Sequence, residues 1–461
     1  MRLLLPVCVC LVLASGLRAE ADGPSAETTD ATAQESASAD LTVAQTTPTN
    51  PAASAAIDRA RVGGYFDAQA QSDQRPSAEI RAGDPVSAVP KRFQYAFRLF
   101  MSGVYDDNIY LRETNKVSDF YFAIEPGITL GWGDIVGSEQ NSIRLDYAPS
   151  IFLYADNSNA NAVQHVIRLD GHYHMGHLSL TLDQDIELLE GTTYLSSASG
   201  SVNTGQSPSV NIDTANSPVN IYNTRGSFSY DLSGKTFLSG GLNFSVRDYE
   251  TLIDSDDLVG NLFINYIYSP KLTVGVGGTF GYNTVEGNNP DQTYEQVNLR
   301  TDYQLSGKVS LNASVGVEFR QFEGDSSGTH VSPVYQLGLA YQPFDGTTIH
   351  LDGSRHTQNS AVFAGQDYET TNINFGIRQR FLRRVYLGVN FGYERSDYFN
   401  TVSFVNATRS DDYFFVQPSI DVTITRYWTA GVYYLHRQDD SSLSTYSFDN
   451  NQVGVRTSLN F

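Results

Sequence analysis

The sequence predicts an all-β fold, a transmembrane antiparallel β-barrel of about 18 strands. Three observations predict it. From Phe93 onward, apolar and polar residues alternate with period two over segments of about 12 to 16 residues. The connections between these segments are alternately tight and long, and the chain ends on an alternating strand whose last residue is the aromatic Phe461.

Residues 1–19 are predicted to be a secretory signal peptide. Arg2 supplies a positive charge, an apolar run follows it, and small residues around Ala19 form a cleavage site. The chain has two cysteines, Cys8 and Cys10, and both lie in this segment. The mature chain therefore contains no thiol, which excludes disulfide bonds, thiolate metal sites and cysteine nucleophiles.

Residues 20–90 are predicted to be a disordered periplasmic leader. Ala, Ser, Thr, Asp and Gln dominate this segment, and its large apolar side chains are too few to offset the chain entropy that folding would cost. A plug or a partner-binding peptide is the alternative interpretation. Residues 91–461 form the predicted barrel domain.

Eighteen strands can be placed on the alternation. They begin near residues 93, 119, 142, 163, 177, 219, 236, 257, 271, 293, 308, 331, 347, 367, 384, 410, 427 and 446. Between Leu178 and Leu188, for example, the even positions are mostly apolar and the odd positions are polar. One face of each strand therefore suits lipid and the other suits water.

The connections predict which end of the barrel faces which compartment. Tight turns, such as Ser306-Gly307-Lys308, alternate with longer loops, of which 191–218 is the longest. Short periplasmic turns and long extracellular loops are typical of transmembrane barrels. The connection 133–141 on the tight side is an exception. Loop 191–218 could fold into the lumen as a constriction, or it could remain outside.

The last strand, residues 451–461, has one apolar face. Val453, Val455, Leu459 and Phe461 lie on it, and polar residues lie on the other face. The strand resembles the assembly signal of bacterial outer-membrane barrels, so we expect the barrel assembly machinery to bind Phe461. We also expect this strand to pair with the first one, which would leave no edge unpaired.

Aromatic residues near the strand ends suit the two lipid interfaces. Examples are Trp132, Tyr266, Tyr268, Tyr427 and Trp428. Girdles of this kind flank the apolar belt of a barrel, although aromatic residues also favour strands in general. We therefore expect outer-membrane lipid and lipopolysaccharide as partners. A net charge of −21 makes nucleic acid a poor partner.

The first hairpin carries a family resemblance. Its first strand runs into Tyr105-Asp106-Asp107-Asn108-Ile109-Tyr110, and this YDDNIY segment resembles the strand end that is typical of the type 2 β-barrel porin family of Gram-negative outer membranes. The resemblance extends over about residues 93–461. It implies an outer-membrane barrel, sometimes associated with exopolysaccharide systems. It implies no catalytic residues.

The polar strand faces supply candidate channel-lining residues of both charge signs. They are Arg144, Asp146, Arg168, Asp170, Asp183, Asp185, Glu187, Arg300, Asp302, Glu318, Arg320, Arg378, Arg380, Asp421 and Arg456. Opposite charges on neighbouring strands could form a ladder that only stabilises the wall. Alternatively, they could form a selectivity surface, because rings of charged side chains select ions.

Clustered acidic residues and a histidine-rich segment are of the types that bind cations, but neither has the spacing of a known cation site. Acidic residues cluster at the predicted loop tips, at Asp106 and Asp107, Asp254, Asp256 and Asp257, Glu323 and Asp325, Asp411 and Asp412, and Asp439 and Asp440. They lack the spacing of a calcium loop, so we expect a solvated rim; divalent bridging to lipopolysaccharide is the alternative.

The HYHMGH segment holds His172, His174 and His177. Its spacing implies no third ligand, so we expect neither a metal nor a cofactor.

The predicted function is passive diffusion of small hydrophilic solutes through an outer-membrane porin. Barrels of about 16 to 18 strands leave an aqueous channel unless they are plugged. The alternative is a narrow or plugged barrel that acts as an accessory or scaffold in exopolysaccharide export, with polysaccharide as its partner. No HExxH, phosphate-loop or dinucleotide motif is present, so we do not expect an enzyme. A barrel hydrolase and a soluble β protein are weaker alternatives.

Overall fold

The computed structural model describes residues 93–133, 141–190, 217–287, 289–324, 328–402 and 409–461. The predicted signal peptide and leader, most of the connection 133–141 and most of loop 191–218 lie outside the described residues. The domain boundaries and the constriction predicted for loop 191–218 therefore stay predictions.

The described residues form 18 β-strands. They are β1 (Phe93–Asp106), β2 (Asp119–Gly133), β3 (Ser142–Tyr154), β4 (Ala162–Met175), β5 (Leu178–Leu189), β6 (Val219–Asp231), β7 (Thr236–Tyr249), β8 (Ser255–Ser269), β9 (Leu272–Val285), β10 (Gln292–Ser306), β11 (Val309–Phe322), β12 (His330–Tyr341), β13 (Thr347–Asn359), β14 (Gln366–Leu382), β15 (Val385–Asn400), β16 (Ser410–Thr423), β17 (Trp428–Ser441) and β18 (Phe448–Asn460). Two short 3-10 helices, Ser158–Ala160 and Ser444–Tyr446, lie in loops. No helix in the described ranges is long and apolar enough to span a membrane.

The strands form one closed antiparallel barrel. Each strand pairs with its neighbours in sequence, and β1 pairs with both β2 and β18. The register of the closing pair runs from Arg98↔Asn460 to Asp106↔Gln452. Beyond it, Phe97 and Phe461 exchange two backbone hydrogen bonds of 3.1 and 2.8 Å. The predicted closure of the last strand on the first is confirmed.

Each strand begins within two residues of its predicted start. The agreement has a physical reason. A closed barrel exposes one strand face to lipid and the other to the lumen, so the alternation of residue types must hold along the whole strand. In β1, for example, Phe93, Tyr95 and Phe97 are exposed on the outer face, whereas Ser102 and Asp106 are buried on the inner face.

The two ends of the barrel differ as predicted. β4 and β5, for example, are joined by a two-residue turn, whereas Asp107 to Ser118 separate β1 from β2. Gly176 and Gly346 lie in tight turns with φ of +60° and +85°, a backbone region that glycine adopts at little cost. We refer to the tight-turn end as periplasmic and to the other end as extracellular.

Aromatic side chains surround the periplasmic end on the outside. Trp132, Tyr266, Tyr268, Tyr427 and Trp428 all lie at this end and are exposed. Their position is that of an interfacial girdle.

Prolines coincide with local interruptions of the ladder. The pairing of β2 with β3 is interrupted around Pro126 and Pro149, and that of β16 with β17 around Pro418. Proline has no N–H to donate to a neighbouring strand. In β12, Pro333 lies two residues from Tyr335, the last residue that pairs with β13 towards the extracellular end.

Candidate channel lumen

Strand alternation places the candidate lining residues on the inner face. In β3, Ile143 and Leu145 are exposed on the outside, whereas Arg144 and Asp146 point to the opposite, more buried side. The same alternation in β4, β5, β10, β11, β14, β16 and β18 gives the other candidates a luminal position.

On β3 to β6, the luminal charges are linked by short contacts. Arg144 Nη2 donates to Asp146 Oδ1 at 3.1 Å. Asp185 lies between two arginines, because Arg168 Nε is 3.5 Å from its Oδ1 and Arg225 Nη2 donates to its Oδ2. Arg225 was not among the predicted residues, although its register partner Asp183 was. This wall therefore neutralises most of its own charge locally.

The remaining acidic candidates on this wall are Asp170, Asp183 and Glu187. Asp170 and Asp183 are register partners, and Arg144 is the partner of Asp170 on its other side. Glu187 Oε1 is 3.7 Å from Arg168 Nη2. Across β3 to β6 at this height, the adjacent carboxylates of Asp170 and Asp183 are therefore flanked by Arg144 and Arg225.

On β11, Arg320 and Glu318 form a buried pair. Arg320 Nε donates to Glu318 Oε1 at 2.8 Å, and its Nη1 donates to Gln292 Oε1 at 2.6 Å. The guanidinium carbon lies 4.4 Å from the centroid of the Tyr294 ring. With 3% of its surface exposed, Arg320 is well fixed and offers little contact to water.

On β10, the candidates Arg300 and Asp302 lie in a more open part of the wall. Arg300 donates to Asn265 Oδ1 at 2.8 Å and to Ser239 Oγ at 2.5 Å. Its guanidinium group also lies 4.2 Å from the centroid of Phe263. Asp302 is two residues further on the same face.

On the last strands, Arg456 and Asp421 meet across the intervening β17. Arg456 Nη2 is 3.0 Å from both carboxylate oxygens of Asp421. Gly431 of β17 lies beneath this contact, and a Cβ atom there would overlap Asp421. Arg378 lies over the Tyr386 ring at 4.2 Å, and Arg380 is the register partner of that tyrosine.

Large aromatic side chains cluster on the inner face at the extracellular end, which the alternation alone did not predict. One cluster centres on Tyr121, with the rings of Phe152 and Tyr154 at 6.1 and 5.2 Å. A second cluster contains Tyr413 and Phe415. The sequence does carry a signal for them. Runs of consecutive apolar residues, FYF, IFLY and YFFV, stand where alternation should place polar residues on the inner face.

The first loop folds onto these clusters. Ile109 is only 2% exposed and belongs to the cluster around Tyr121, and Leu111 packs against the second cluster. Asn108 fixes the loop, because its Nδ2 donates to the carbonyl oxygens of Arg112 and Asp449 at 2.8 and 2.9 Å. The YDDNIY segment thus turns the chain into the lumen.

Two aspartates of this segment tie the first strand end to the last strand. Asp106 accepts hydrogen bonds from Asn450 Nδ2 at 2.6 Å and from Gln452 Nε2 at 2.7 Å. Asp107 accepts from the backbone N–H and from Nδ2 of Asn451, both at 2.7 Å. We call these five residues the closure cluster.

The prediction that the acidic loop tips form a solvated rim is wrong for some of these residues. Asp106 is 1% exposed because amide side chains surround it, and Asp411 is buried because it pairs with Arg409 at 2.7 Å. Within the described ranges, no group of three His, Cys, Asp or Glu side chains is placed to hold a metal ion. In the HYHMGH segment, His174 Nδ1 lies 2.8 Å from Ser179 Oγ.

A comparison with protein families agrees with this geometry. Residues 301–461 match the family model described as "Putative beta-barrel porin 2". This confirms the resemblance drawn from the sequence, although the YDDNIY segment lies outside the matched range. No curated protein matches the chain.

The solved structures that match this chain include three bacterial proteins that each share about a tenth of their residues with it. OccAB3 of Acinetobacter baumannii is 10% identical, with a TM-score of 0.43, covering 80% of this chain and 100% of its own. OpdK of Pseudomonas aeruginosa, solved with vanillate, is 11% identical, with a TM-score of 0.42 and coverages of 80% and 99%. OccK5 (OpdH) of the same organism is 12% identical, with a TM-score of 0.41 and coverages of 80% and 98%.

The chain is thus a porin-like β-barrel of the Gram-negative outer membrane, where its outer face contacts lipid. The matched family is one of porins and not of enzymes.

Proposed function

We propose that this barrel is a channel for passive diffusion of small hydrophilic solutes. The observation that carries the proposal is the luminal wall of β3 to β6, where Arg144, Arg168 and Arg225 alternate with Asp146 and Asp185. A wall with both charge signs can replace the hydration of a polar solute at each step, and it costs no energy input. We expect these residues to line the conducting path.

The test is single-channel conductance of the refolded mature protein in a planar bilayer, under a salt gradient. Discrete and stable openings are expected. Asp185→Asn should shift the reversal potential towards anion preference, because Arg168 and Arg225 would lose the carboxylate between them. Asp345→Asn, in an exposed periplasmic turn, is the control and should leave the reversal potential unchanged.

A second candidate function is a plugged barrel that serves as an accessory or scaffold in exopolysaccharide export. The folded-in first loop and the aromatic clusters around Tyr121 and Tyr413 favour it, because they occupy the extracellular half of the lumen. A folded barrel that stays silent in the bilayer would support this candidate and contradict the porin. Secretion of polysaccharide by a strain that lacks the protein would then be the next measurement.

We also propose that lipopolysaccharide contacts a charged patch on the outer face of β15 and β16. Arg395 Nε lies 3.1 Å from Asp397 Oδ2 and its Nη1 lies 3.7 Å from Asp412 Oδ1. The patch is exposed near the extracellular end, where phosphate groups of the outer leaflet would meet it. Arg395→Ala should reduce the lipopolysaccharide that copurifies with the barrel, and Arg426→Ala at the periplasmic end should not.

A further inference from the structure

At the extracellular end, the hairpin of β13 and β14 separates from β12, while β14 stays paired with β15 as far as Gln366↔Asn400. Pairing between β12 and β13 ends at Tyr335↔Arg355. β13 nevertheless continues to pair with β14 as far as Asn359↔Asp367. Over the described residues 330–334 and 356–359, no register joins β12 to β13. The wall is therefore interrupted between β12 and β13 at this height, and these described residues of the hairpin have no backbone pairing with β12.

The tip of the hairpin reaches loops of distant strands. The N–H of Ile253, between β7 and β8, donates to the carbonyl oxygen of Ala361 at 2.9 Å. The N–H of Gly365 donates to Asn289 Oδ1, between β9 and β10, at 2.5 Å. In the strand order of the barrel, β8 is five strands away from β13. Ala361 must therefore extend over the mouth to meet it.

The outer face of the hairpin packs on the inner face of the nearby wall formed by β10 and β11. Asp367 shares its face with Ile373 and Phe375, which point outward further down β14. Yet Gln292 Nε2, on the luminal face of β10, donates to Asp367 Oδ1 at 3.0 Å. The same luminal face supplies Arg320, whose Nη2 lies 3.4 Å from the Thr357 carbonyl oxygen. The wall thus overlaps itself at this height, with the hairpin on the inside.

His330 connects the two layers of this overlap. Its ring stacks on Phe399 of β15, with centroids 4.3 Å apart and an interplanar angle of 9°. Its Nε2 lies 3.0 Å from Glu369 Oε1 of β14. Side-chain contacts therefore replace the backbone pairing that β12 lacks here.

Arg409 holds the inserted hairpin in place. Its guanidinium carbon lies 3.7 Å from the ring centroid of Tyr446, 4.8 Å from that of Tyr398 and 5.7 Å from that of Phe363. Phe363 belongs to the hairpin tip, Tyr398 to β15 and Tyr446 to the loop before β18. With 3% of its surface exposed, Arg409 joins three chain segments at the mouth.

We propose that the β13–β14 hairpin is a two-state gate of the extracellular mouth. In the observed state it lies inside the barrel. In the second state it pairs with β12 by continuing the existing register. Stepping outward by three residues from Tyr335↔Arg355 places Ser332 opposite Gln358. This inference rests on the proposed function, because a gate requires a conducting path.

The chemistry of the hairpin suits both states. Its upper outer face is polar, with Arg355, Asp367, Glu369 and Thr371, whereas Ile373, Phe375 and Ile377 further down β14 are apolar. In the observed state this polar face binds the luminal wall. In the second state it would lie above the apolar belt of the barrel and contact water. The backbone groups of 330–334 would gain strand partners. A hairpin with two alternative sets of partners is a bistable element.

Two engineered cysteine pairs test the gate in opposite directions. The mature chain should contain no other thiol, since Cys8 and Cys10 lie in the predicted signal peptide. Ile253→Cys with Ala361→Cys should lock the observed state, and Ser332→Cys with Gln358→Cys should lock the second. Oxidation should lower the open fraction of the first variant about tenfold and raise that of the other, and dithiothreitol should reverse both changes.

The control is a pair in the periplasmic turn between β6 and β7, Leu232→Cys with Thr236→Cys. These residues are already joined by a backbone hydrogen bond of 3.0 Å, so their disulfide should leave conductance unchanged. Heat-modifiable gel mobility verifies that each variant is folded, and thiol labelling verifies that each disulfide has formed.

The outcomes separate the gate from the channel. If oxidised Ile253→Cys/Ala361→Cys conducts like its reduced form, the gate is wrong while the channel stands. The gate is also wrong if Ser332→Cys/Gln358→Cys never crosslinks in a conducting barrel. If every folded variant is silent, including the crosslinked Ser332→Cys/Gln358→Cys, the proposed channel function itself fails.

Discussion

At the scale of single residues, the closure cluster shows what the YDDNIY segment does in the structure. Asp106 is buried and accepts hydrogen bonds from Asn450 and Gln452, which lie on the other side of the closing seam. A carboxylate has several acceptor positions and no donor, so it can satisfy two amide groups at once. Buried amides without a partner would cost free energy. The cluster therefore stabilises the closed ring.

Asp106→Ala should lower the free energy of unfolding by about 1–3 kcal/mol, because the amide donors of Asn450 and Gln452 would be left buried without their acceptor. Urea titration of the refolded barrel in lipid vesicles, followed by tryptophan fluorescence, measures the change. Asp345→Ala in an exposed turn is the matched control and should have an effect within about 0.5 kcal/mol. Equal effects of the two substitutions would contradict the role of the cluster.

A glycine on β17 allows the contact between Arg456 and Asp421. A Cβ atom on Gly431 would lie 2.8 Å from the carbonyl oxygen of Ile420 and would also overlap the Asp421 side chain. Position 431 must therefore carry no side chain if Arg456 is to reach Asp421 across β17.

Gly431→Ala should destabilise the barrel by about 1–3 kcal/mol, because the added methyl group overfills the site. The same urea titration measures it. Gly226→Ala is the control, since nothing lies within 4 Å of the added Cβ there. That substitution should be neutral or stabilising by up to about 1 kcal/mol, because alanine costs less chain entropy than glycine in a strand. If the Gly431→Ala barrel is as stable as the control, the side chains of Arg456 and Asp421 must shift to accommodate the added methyl group.

At the scale of elements, β18 combines a structural role with a proposed role in assembly. Its backbone completes the ring through β1. The side chain of Phe461, by contrast, is 68% exposed, and its ring lies 6.5 Å from that of Tyr427. The folded barrel thus gains little from this side chain. Its position suits recognition by the assembly machinery before the barrel closes.

Phe461→Ser should reduce the folded barrel in outer-membrane fractions several-fold but leave refolding in detergent micelles unchanged, because the backbone hydrogen bonds to Phe97 remain. Heat-modifiable gel mobility measures both. The matched control is Phe381→Ser, which removes another outward aromatic side chain, 67% exposed, from the periplasmic end of β14. An equal loss of refolding in micelles would assign Phe461 a structural role instead.

At the scale of the whole molecule, the barrel is closed by its strands and narrowed by its connections. The β1–β2 loop packs on the aromatic clusters, and the β13–β14 hairpin extends over the mouth. Both approach from the extracellular end. The periplasmic half of the lumen keeps the charged wall of β3 to β6. Selection of solutes and closure of the path would therefore belong to different halves of the barrel.

The barrel should fold and conduct without the leader. A chain of residues 91–461 is expected to refold with the same heat-modifiable mobility and single-channel conductance as a chain of residues 20–461, because β1 already begins at Phe93. Parallel refolding and bilayer recordings of the two chains measure this. A larger conductance of the shorter chain would instead support the alternative that the leader is a plug.

The strand number, the closure and the two sides of the barrel were predictable from the sequence. Each depends on a local pattern: period-two alternation, turn length and an apolar last strand. A strand in a barrel wall has lipid on one side and the lumen on the other, so the choice of residue at each position records its face directly. For this reason alternation assigns Arg168 and Asp185 to the same face, and Arg168 Nε lies 3.5 Å from Asp185 Oδ1.

The filling of the lumen was decided only by the tertiary structure. Asp106 and Asp107 look like a solvated loop tip in sequence, yet Asn450 to Gln452, more than 300 positions away, surround them. Likewise, the upper part of the β13–β14 hairpin is polar on its outer face, but nothing local shows that it separates from β12 and meets Ile253 and Asn289. Alternation fixes which face a side chain occupies. It does not fix how far a hairpin bends or which distant loop it meets, because those contacts depend on packing between segments that are brought together only when the ring closes.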